Sequence, residues 1–263
     1  MIDANAAAVA RIEANATAAV MIVLVTDYGC AGPYIGQVDA VLRRQAPAAA
    51  IVHLFDEAPA FDPKATAYLL AAYVDEFPIG SVFLCVVDPG VGTERGAGVL
   101  EADGRWYVGP DNGLFEIIAR RSSSSRWWPA GEIPATASAT FHGRDVFAPI
   151  AAALASGDTP PGIPRPVETI RRLDWPDELA QVVFIDHFGN AMTGIRAHSI
   201  PANASVRIGE RRLVRARTFA DVPPGDAFWY ENANGLLELA VNCGRADTTL
   251  GARVGTAIII GET

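Results

Sequence analysis

The chain of 263 residues carries 30 acidic and 21 basic side chains, a formal net charge of −9, with 50% hydrophobic and 19% charged residues. That is the composition of a globular protein, long enough for about two domains at roughly 150 residues each, and it excludes a disordered chain. The acidic balance argues against a nucleic-acid partner, whose binding rests on Lys and Arg neutralising phosphates. Cys30, Cys85 and Cys243 are too few and too far apart for a disulfide framework or a zinc site, which points to a reducing, cytoplasmic setting.

Residues 1–20 are Ala-rich, with Asp3, Arg11 and Glu13 scattered through them, and lack the basic start and unbroken apolar run of a signal peptide. They read as a flexible N-terminal extension, with Met21 as an alternative start immediately before the first strand. No stretch reaches the roughly 18 uncharged apolar residues of a membrane span, so no membrane partner is expected. MIVLVTDYG (21–29) reads as a buried strand closed by a polar turn, and residues 34–45 as a helix ending before Pro47. IVHLF (51–55) predicts a second strand, residues 63–77 a helix with Pro63 at its start, and residues 81–90 a third buried strand. RWYVGPDNG followed by LFEIIARR adds a further strand, turn and helix. Strands alternating with helices predict an α/β N-terminal domain over 21–156 with a mostly parallel central sheet. The stretch 157–180, crowded with Pro and Gly, reads as a linker. Residues 181–263 hold short β-rich runs separated by turns and no long helical pattern, which predicts a small all-β, barrel-like C-terminal domain.

The chemistry-bearing residues cluster at the ends of these runs. Asp27, Asp88 and the Asp111–Asn112 pair each follow an apolar strand and adjoin glycines, the place where open α/β sheets bind ligands. Asp186 follows VVFI and leads into Phe188, Gly189 and Asn190. Each position equally suits a turn or a helix cap, the commonest use of Asp beside glycine. His53, His142, His187 and His198 show no metal-binding spacing, so no metal is expected. A dinucleotide fingerprint, a Walker A loop and a nucleophile elbow are all absent from the sequence.

Taken in order, TDYG, VVDPGVGTERG, GPDNGLF, TFHGRD, IDHFGN and ENANGLLELAVN run from residue 26 to 242. Together they resemble the S-adenosylmethionine hydroxide adenosyltransferases, also called S-adenosylmethionine hydrolases, relatives of the 5′-fluorinases and 5′-chlorinases. The resemblance implies that family's α/β plus β-barrel architecture. It also implies a homotrimer whose active sites lie between the N-terminal domain of one subunit and the C-terminal domain of the next. It implies a catalytic trio of Asp88, Arg95 and His142 handling water, where halogenases carry Tyr in place of that Asp. By the same matching, Asp27 grips the ribose hydroxyls, and Asn112 and Asp186 lie around the ribose and the methionine end. Phe188 and Asn190 stack on and hydrogen-bond adenine, Tyr230 and Val241 fall in strands that close the adenine pocket, and Asn232 is a further substrate-binding residue. Phe141 and Phe219 lie near the matching motifs, where they suit either a wall for adenine or the sugar or plain core packing. Ala233 stands where relatives commonly carry Ser, a departure that bears on the grip on methionine.

The implied reaction is hydrolysis of S-adenosyl-L-methionine to adenosine and L-methionine by attack of water on ribose C5′. A sulfonium leaves as a neutral thioether, so neither a general acid nor a metal or other cofactor is required. The difficulty is the nucleophile, because water has a pKa of about 15.7. A carboxylate can take its proton and cationic or imidazole groups can hold it, and the sequence leaves open whether Asp88 or His142 is the base. The alternatives are a 5′-halogenase using chloride and a protein that binds the nucleoside without turnover.

Overall fold

The computed structural model describes residues 19–160 and 162–261; most of the expected N-terminal extension, residues 1–18, lies outside the described residues. The N-terminal part is built on β1 (Met21–Thr26), β2 (Ala50–Phe55), β3 (Val82–Val86), β4 (Ala97–Ala102), β5 (Arg105–Pro110) and β6 (Ser125–Pro129). They form one sheet in the order β2-β1-β3-β5-β4-β6. β2, β1, β3 and β5 pair in parallel, and β4 runs antiparallel to both of its neighbours. β4 and β6 are the strands that sequence periodicity missed: the glycine-rich VGTERGAG runs directly into β4, and β6 opens on the serine run 122–125, which reads as a surface loop.

Alternate side chains of the sheet feed two cores. Ile22, Leu24, Leu84 and Val108 pack against helix α1 (Tyr34–Gln45) through Val38 and Leu42, and against Phe147 and helix α4 (Ala148–Ala155), which follows it, through Ala151. Val23, Val25, Phe83 and Tyr107 pack on the other face against α2 (Pro63–Leu70) and α3 (Glu116–Arg121) through Leu70 and Ile118. This two-sided burial is why the strands read as continuous apolar runs. It also aims the carboxyl ends of β1 and β3, and with them Asp27 and Asp88, at one edge of the sheet.

The helix expected over 63–77 is shorter. Asp62 caps it, its Oδ1 accepting from the Ala65 N–H at 2.8 Å, but α2 stops at Leu70 and only a 3-10 turn, Val74–Glu76, follows. Between them Tyr73 swings toward the C-terminal part, where its hydroxyl donates to Met192 Sδ at 3.4 Å and its ring stands edge-on to Phe55. Tertiary packing overrides local propensity there.

The C-terminal part contains β7 (Leu179–Ile185), β8 (Ala191–Arg196), β9 (Ser205–Ile208), β10 (Arg211–Leu213), β11 (Ala227–Glu231), β12 (Leu236–Val241), a short helix α5 (Ala246–Thr249) and β13 (Ile259–Gly261). They form two antiparallel sheets, β10-β9-β13 and β11-β12-β8-β7, over one core of Val182, Val206, Trp229, Leu237 and Leu239. Isolated bridges, Gln181 to Ala257 and Arg215 to Trp229, link the two sheets.

The linker stretch is docked rather than loose. Glu116, only 1% exposed, accepts from Arg120 Nη2 at 2.7 Å, from Arg171 Nε at 3.0 Å and from the Arg172 N–H at 2.7 Å. A buried carboxylate needs such partners, and these tie residues 171–172 to α3. Tyr68 and Leu69 of α2 meet Leu179, Val183 and Leu236, which joins the two parts through a shared apolar cluster.

Candidate active site

The first cluster lies at the carboxyl ends of β1 and β3, in a cavity of about 260 Å3 lined by Asp27, Tyr28, Tyr34, Phe61, Asp88, Phe141, His142 and Gly143. Asp88 is gripped by a fork: Arg95 Nε donates to its Oδ1 at 2.8 Å and Nη2 to its Oδ2. The two side chains are 5% and 11% exposed, so this is a buried pair rather than a surface one. The Arg95 guanidinium also donates to the Gly96 carbonyl at 2.7 Å and lies over the Phe147 ring at 5.3 Å.

Arg95 Nη2 lies 3.2 Å from His142 Nδ1. A guanidinium only donates, so Nδ1 is the acceptor and the ring's proton sits on Nε2. Burial first, and the Arg95 charge second, hold the His142 imidazole below its ordinary titration range, which keeps it neutral. His142 is held at the start of a π-helical turn, Gly143–Phe147, a geometry recurrent at functional sites. Arg144 and Asp145 pin that turn. Arg144 Nη1 donates to Gln37 Oε1 of α1 at 2.8 Å, Arg144 Nε donates to Asp145 Oδ1 at 2.6 Å, and Asp145 Oδ2 accepts from the Ser138 N–H at 2.9 Å.

Asp27 accepts from the Phe61 N–H at 3.0 Å, and burial holds its carboxyl above the usual carboxylate range. Phe61 itself has φ 59° and is 77% exposed. A bulky residue in the left-handed region is strained, and such strain concentrates at functional sites. Phe141 is packed edge-on between Tyr28 and Tyr34, with centroids at 5.8 and 5.4 Å.

The second cluster lies in the C-terminal part, around a cavity of about 700 Å3. The β7–β8 turn is self-buttressed: Asp186 Oδ1 accepts from the Asn190 N–H at 2.8 Å and Oδ2 from Asn190 Nδ2 at 3.1 Å. The Asn190 backbone carbonyl accepts from the Asp186 N–H at 3.0 Å, which leaves the side-chain Oδ1 without a partner among the described residues and Phe188 at the tip, 71% exposed. Phe219 stands edge-on to Phe228 and Tyr230 at 5.2 and 5.5 Å. Glu238 is the buried hub, accepting from the Tyr230 hydroxyl and from Asn232 Nδ2 at 2.8 Å. Burial raises its carboxyl above the usual range. Val241 and Ala233 complete the wall.

The expected residues therefore fall into two groups. Asp27, Asp88, Phe141 and His142 share one cavity, with Arg95 behind Asp88; Asp186, Phe188, Asn190, Phe219, Tyr230, Asn232 and Val241 share the other. The two linings have no residue in common among the described residues. Asn112 joins neither: its Nδ2 donates to the Val87 carbonyl at 2.9 Å and its Oδ1 accepts from the Leu114 N–H at 3.3 Å, so it braces the strand end that carries Asp88. Sequence reasoning passed over Tyr28, Tyr73, Glu238 and Arg245, which line the cavities. Glu238 was visible as the lone charge in the apolar run LLELAV. Among the described residues no group of three or more His, Cys, Asp or Glu side chains is arranged to hold a metal ion, and no helix is long and apolar enough to cross a membrane.

Residues 22–163 match the family model of the SAM hydroxide adenosyltransferase N-terminal domain, and residues 180–259 that of its C-terminal domain. The (R)-S-adenosyl-L-methionine hydrolase of Thermus thermophilus is 44% identical over 252 residues, covering 89% of this chain and 96% of the relative. That of Salinispora arenicola is 39% identical over 251 residues, covering 88% and 93%. Among solved structures, an uncharacterized conserved protein from Thermotoga maritima superposes with a TM-score of 0.78 at 31% identity, covering 92% of this chain and all of that one. A conserved hypothetical protein from Thermus thermophilus gives 0.74 at 38% identity, covering 92% of this chain and 100% of that one.

Proposed function

The chain belongs to the SAM hydroxide adenosyltransferase family, and on that footing we propose that it is an enzyme that hydrolyses S-adenosyl-L-methionine to adenosine and L-methionine. The observation that carries the reading is the buried Asp88–Arg95–His142 constellation beside Asp27 in a cavity. Water attacks ribose C5′ in line with the sulfonium. The carbon–oxygen bond forms as the carbon–sulfur bond breaks, the sulfur keeps the bonding pair as a neutral thioether, and one water proton is released. Asp88 is the base. His142 cannot take that proton at Nδ1, which is occupied by the Arg95 donor, and Nε2 already carries one. His142 therefore holds the water through its Nε2–H, while Arg95 fixes both partners and offsets the charge on Asp88.

Asp27 holds the ribose diol in this reading. Asp186 lies at the ribose and methionine end, with Asn190, Phe188, Phe219, Tyr230, Asn232 and Val241 around adenine. The C-terminal part is the family's barrel-like domain, and the enzyme is a homotrimer. The separation of the two groups of residues into distinct cavities supports a site closed between the N-terminal part of one subunit and the C-terminal part of the next. The unpaired Cys30, Cys85 and Cys243 fit a reducing cytoplasm, and no cofactor enters the reaction.

The test is incubation with S-adenosyl-L-methionine in chloride-containing, 18O-labelled water, with products identified by mass. Adenosine carrying one 18O on the ribose, with unlabelled methionine, is expected. A 5′-chloroadenosine would make the protein a halogenase, and unchanged, bound substrate would make it a binding protein.

A further inference from the structure

Tyr28 follows Asp27 directly, and its side chain packs against the N-terminal core while lining the N-terminal cavity. Its ring is fixed by edge contacts to Phe141 (5.8 Å, 81°) and by Tyr34 at 6.0 Å. The hydroxyl end is the unusual part. It reaches the backbone of Gly143, the residue after His142, so closely that a Cβ built on Gly143 would lie 1.8 Å from Oη. Among the described residues that hydroxyl makes no hydrogen bond, although Asp27, Asp88 and His142 line the same cavity. A half-buried phenol without a protein partner, aimed into a cavity beside the reacting groups, needs a partner from the ligand side.

The attacking water supplies a reason. A water molecule has two protons and two lone pairs, and all four directions matter at the moment of attack. One lone pair must point at C5′. One proton goes to Asp88, and the second lone pair accepts from His142 Nε2–H. A single proton is left, and without an acceptor the water is free to rotate about its other contacts. We propose that the Tyr28 hydroxyl accepts this remaining hydrogen bond and so fixes the aim of the water at C5′. Burial, with the charges of Asp27 and Asp88 adding to it, raises the Tyr28 phenol well above its ordinary titration range. It stays a neutral hydroxyl, able to accept from water. Gly143 belongs to the same device, because any side chain there would take the place of the hydroxyl.

The inference rests on the hydrolase reading and is separable from it. Tyr28→Phe keeps the ring contacts and removes only an atom with no protein partner, so its melting temperature is expected to match the parent. Its kcat for adenosine release is expected to fall by about tenfold, with KM for S-adenosyl-L-methionine unchanged, because the lost bond is made to the nucleophile and not to the substrate. Gly143→Ala is expected to lose kcat on its own, and to cost little more once introduced into Tyr28→Phe, a coupling that only a shared space produces. Tyr28→Phe with unchanged kcat, or with a raised KM and unchanged kcat, would overturn the assignment while leaving the hydrolase reading intact. A fully active Gly143→Ala would overturn it too. A wild-type protein that makes no adenosine would remove both.

Discussion

Replacing Asp88 by Asn changes no heavy-atom count and removes one charge from a pair that is 5% and 11% exposed. The structure makes the cost calculable. Arg95 loses one of its two carboxylate contacts outright, because the new amide presents N–H toward Nη2, and the guanidinium is left with a neutral amide oxygen, His142 Nδ1, the Gly96 carbonyl and the Phe147 face. Breaking a buried pair from one side costs about 3–5 kcal/mol, since the remaining charge stays desolvated. At about 2–4 °C per kcal/mol for a domain of this size, the melting temperature drops by roughly 10 °C. Activity falls separately, by on the order of 100- to 10,000-fold in kcat, which is the usual weight of a positioned base. Adding Arg95→Met removes the stranded charge, so the double variant recovers most of the stability and none of the activity. Thermal denaturation and steady-state kinetics on the wild type, both single variants and the double variant read out the two effects. Additive stability losses would refute the buried pair, and an Asp88→Asn enzyme within tenfold of wild-type kcat would refute Asp88 as base.

The His142 imidazole, held below its ordinary value of 6.5 by burial and by Arg95, is expected to titrate below that value by NMR, and to move up toward it in Arg95→Met. The sign follows from linkage: the unfolded chain binds that proton more readily, so stability is retained above pH 6.5 and declines as pH falls through the folded value. A His142 titrating above 6.5 in the wild type would contradict the Arg95–Nδ1 contact. The proposed subunit-shared site predicts complementation: Asp88→Asn and Asn190→Ala, each inactive or weakly binding alone, regain up to about a quarter of wild-type sites when reassembled together, because a mixed trimer pairs intact halves. No recovery above the separate variants would place both halves in one chain.

Much of the fold could be read from periodicity because β1, β2, β3 and β5 are parallel strands followed by polar turns. What escaped was decided by distant contacts. β4 begins inside a glycine-rich run and is defined by pairing with β5 and β6. The second helix ends where Tyr73 reaches for Met192, more than a hundred residues away in the chain. The linker was legible as irregular, but its docking depends on Glu116 meeting Arg171 and the Arg172 amide, which no local pattern announces. The candidate site shows the same division. Asp27 and Asp88 were marked by their places at strand ends, and Asp186 with Asn190 by a tight turn. That Arg95 bridges Asp88 and His142, or that Asn112 braces a strand end, follows only from the folded geometry.

The two exposed aromatics bear on how the proposed site works. Phe61 and Phe188 stand 77% and 71% exposed on the rims of different cavities, and Phe61 is also held at φ 59°. An isolated subunit gains nothing from either placement: apolar area is left in water, and the backbone strain costs about 1–3 kcal/mol. In the proposed trimer the rim of one cavity meets the rim of another across the subunit boundary, and a bound nucleoside is enclosed by both. Both halves hold carboxylates and aromatic rings, but the imidazole and the Asn190 amide are each found in one lining only. The C-terminal half offers aromatic faces and the amide of Asn190, which suit a base, and the N-terminal half offers carboxylates and a neutral imidazole, which suit a water molecule and a sugar. In the proposed trimer this enclosure excludes bulk water from the reacting carbon, leaving as nucleophile the water proposed to be held by Asp88 and His142.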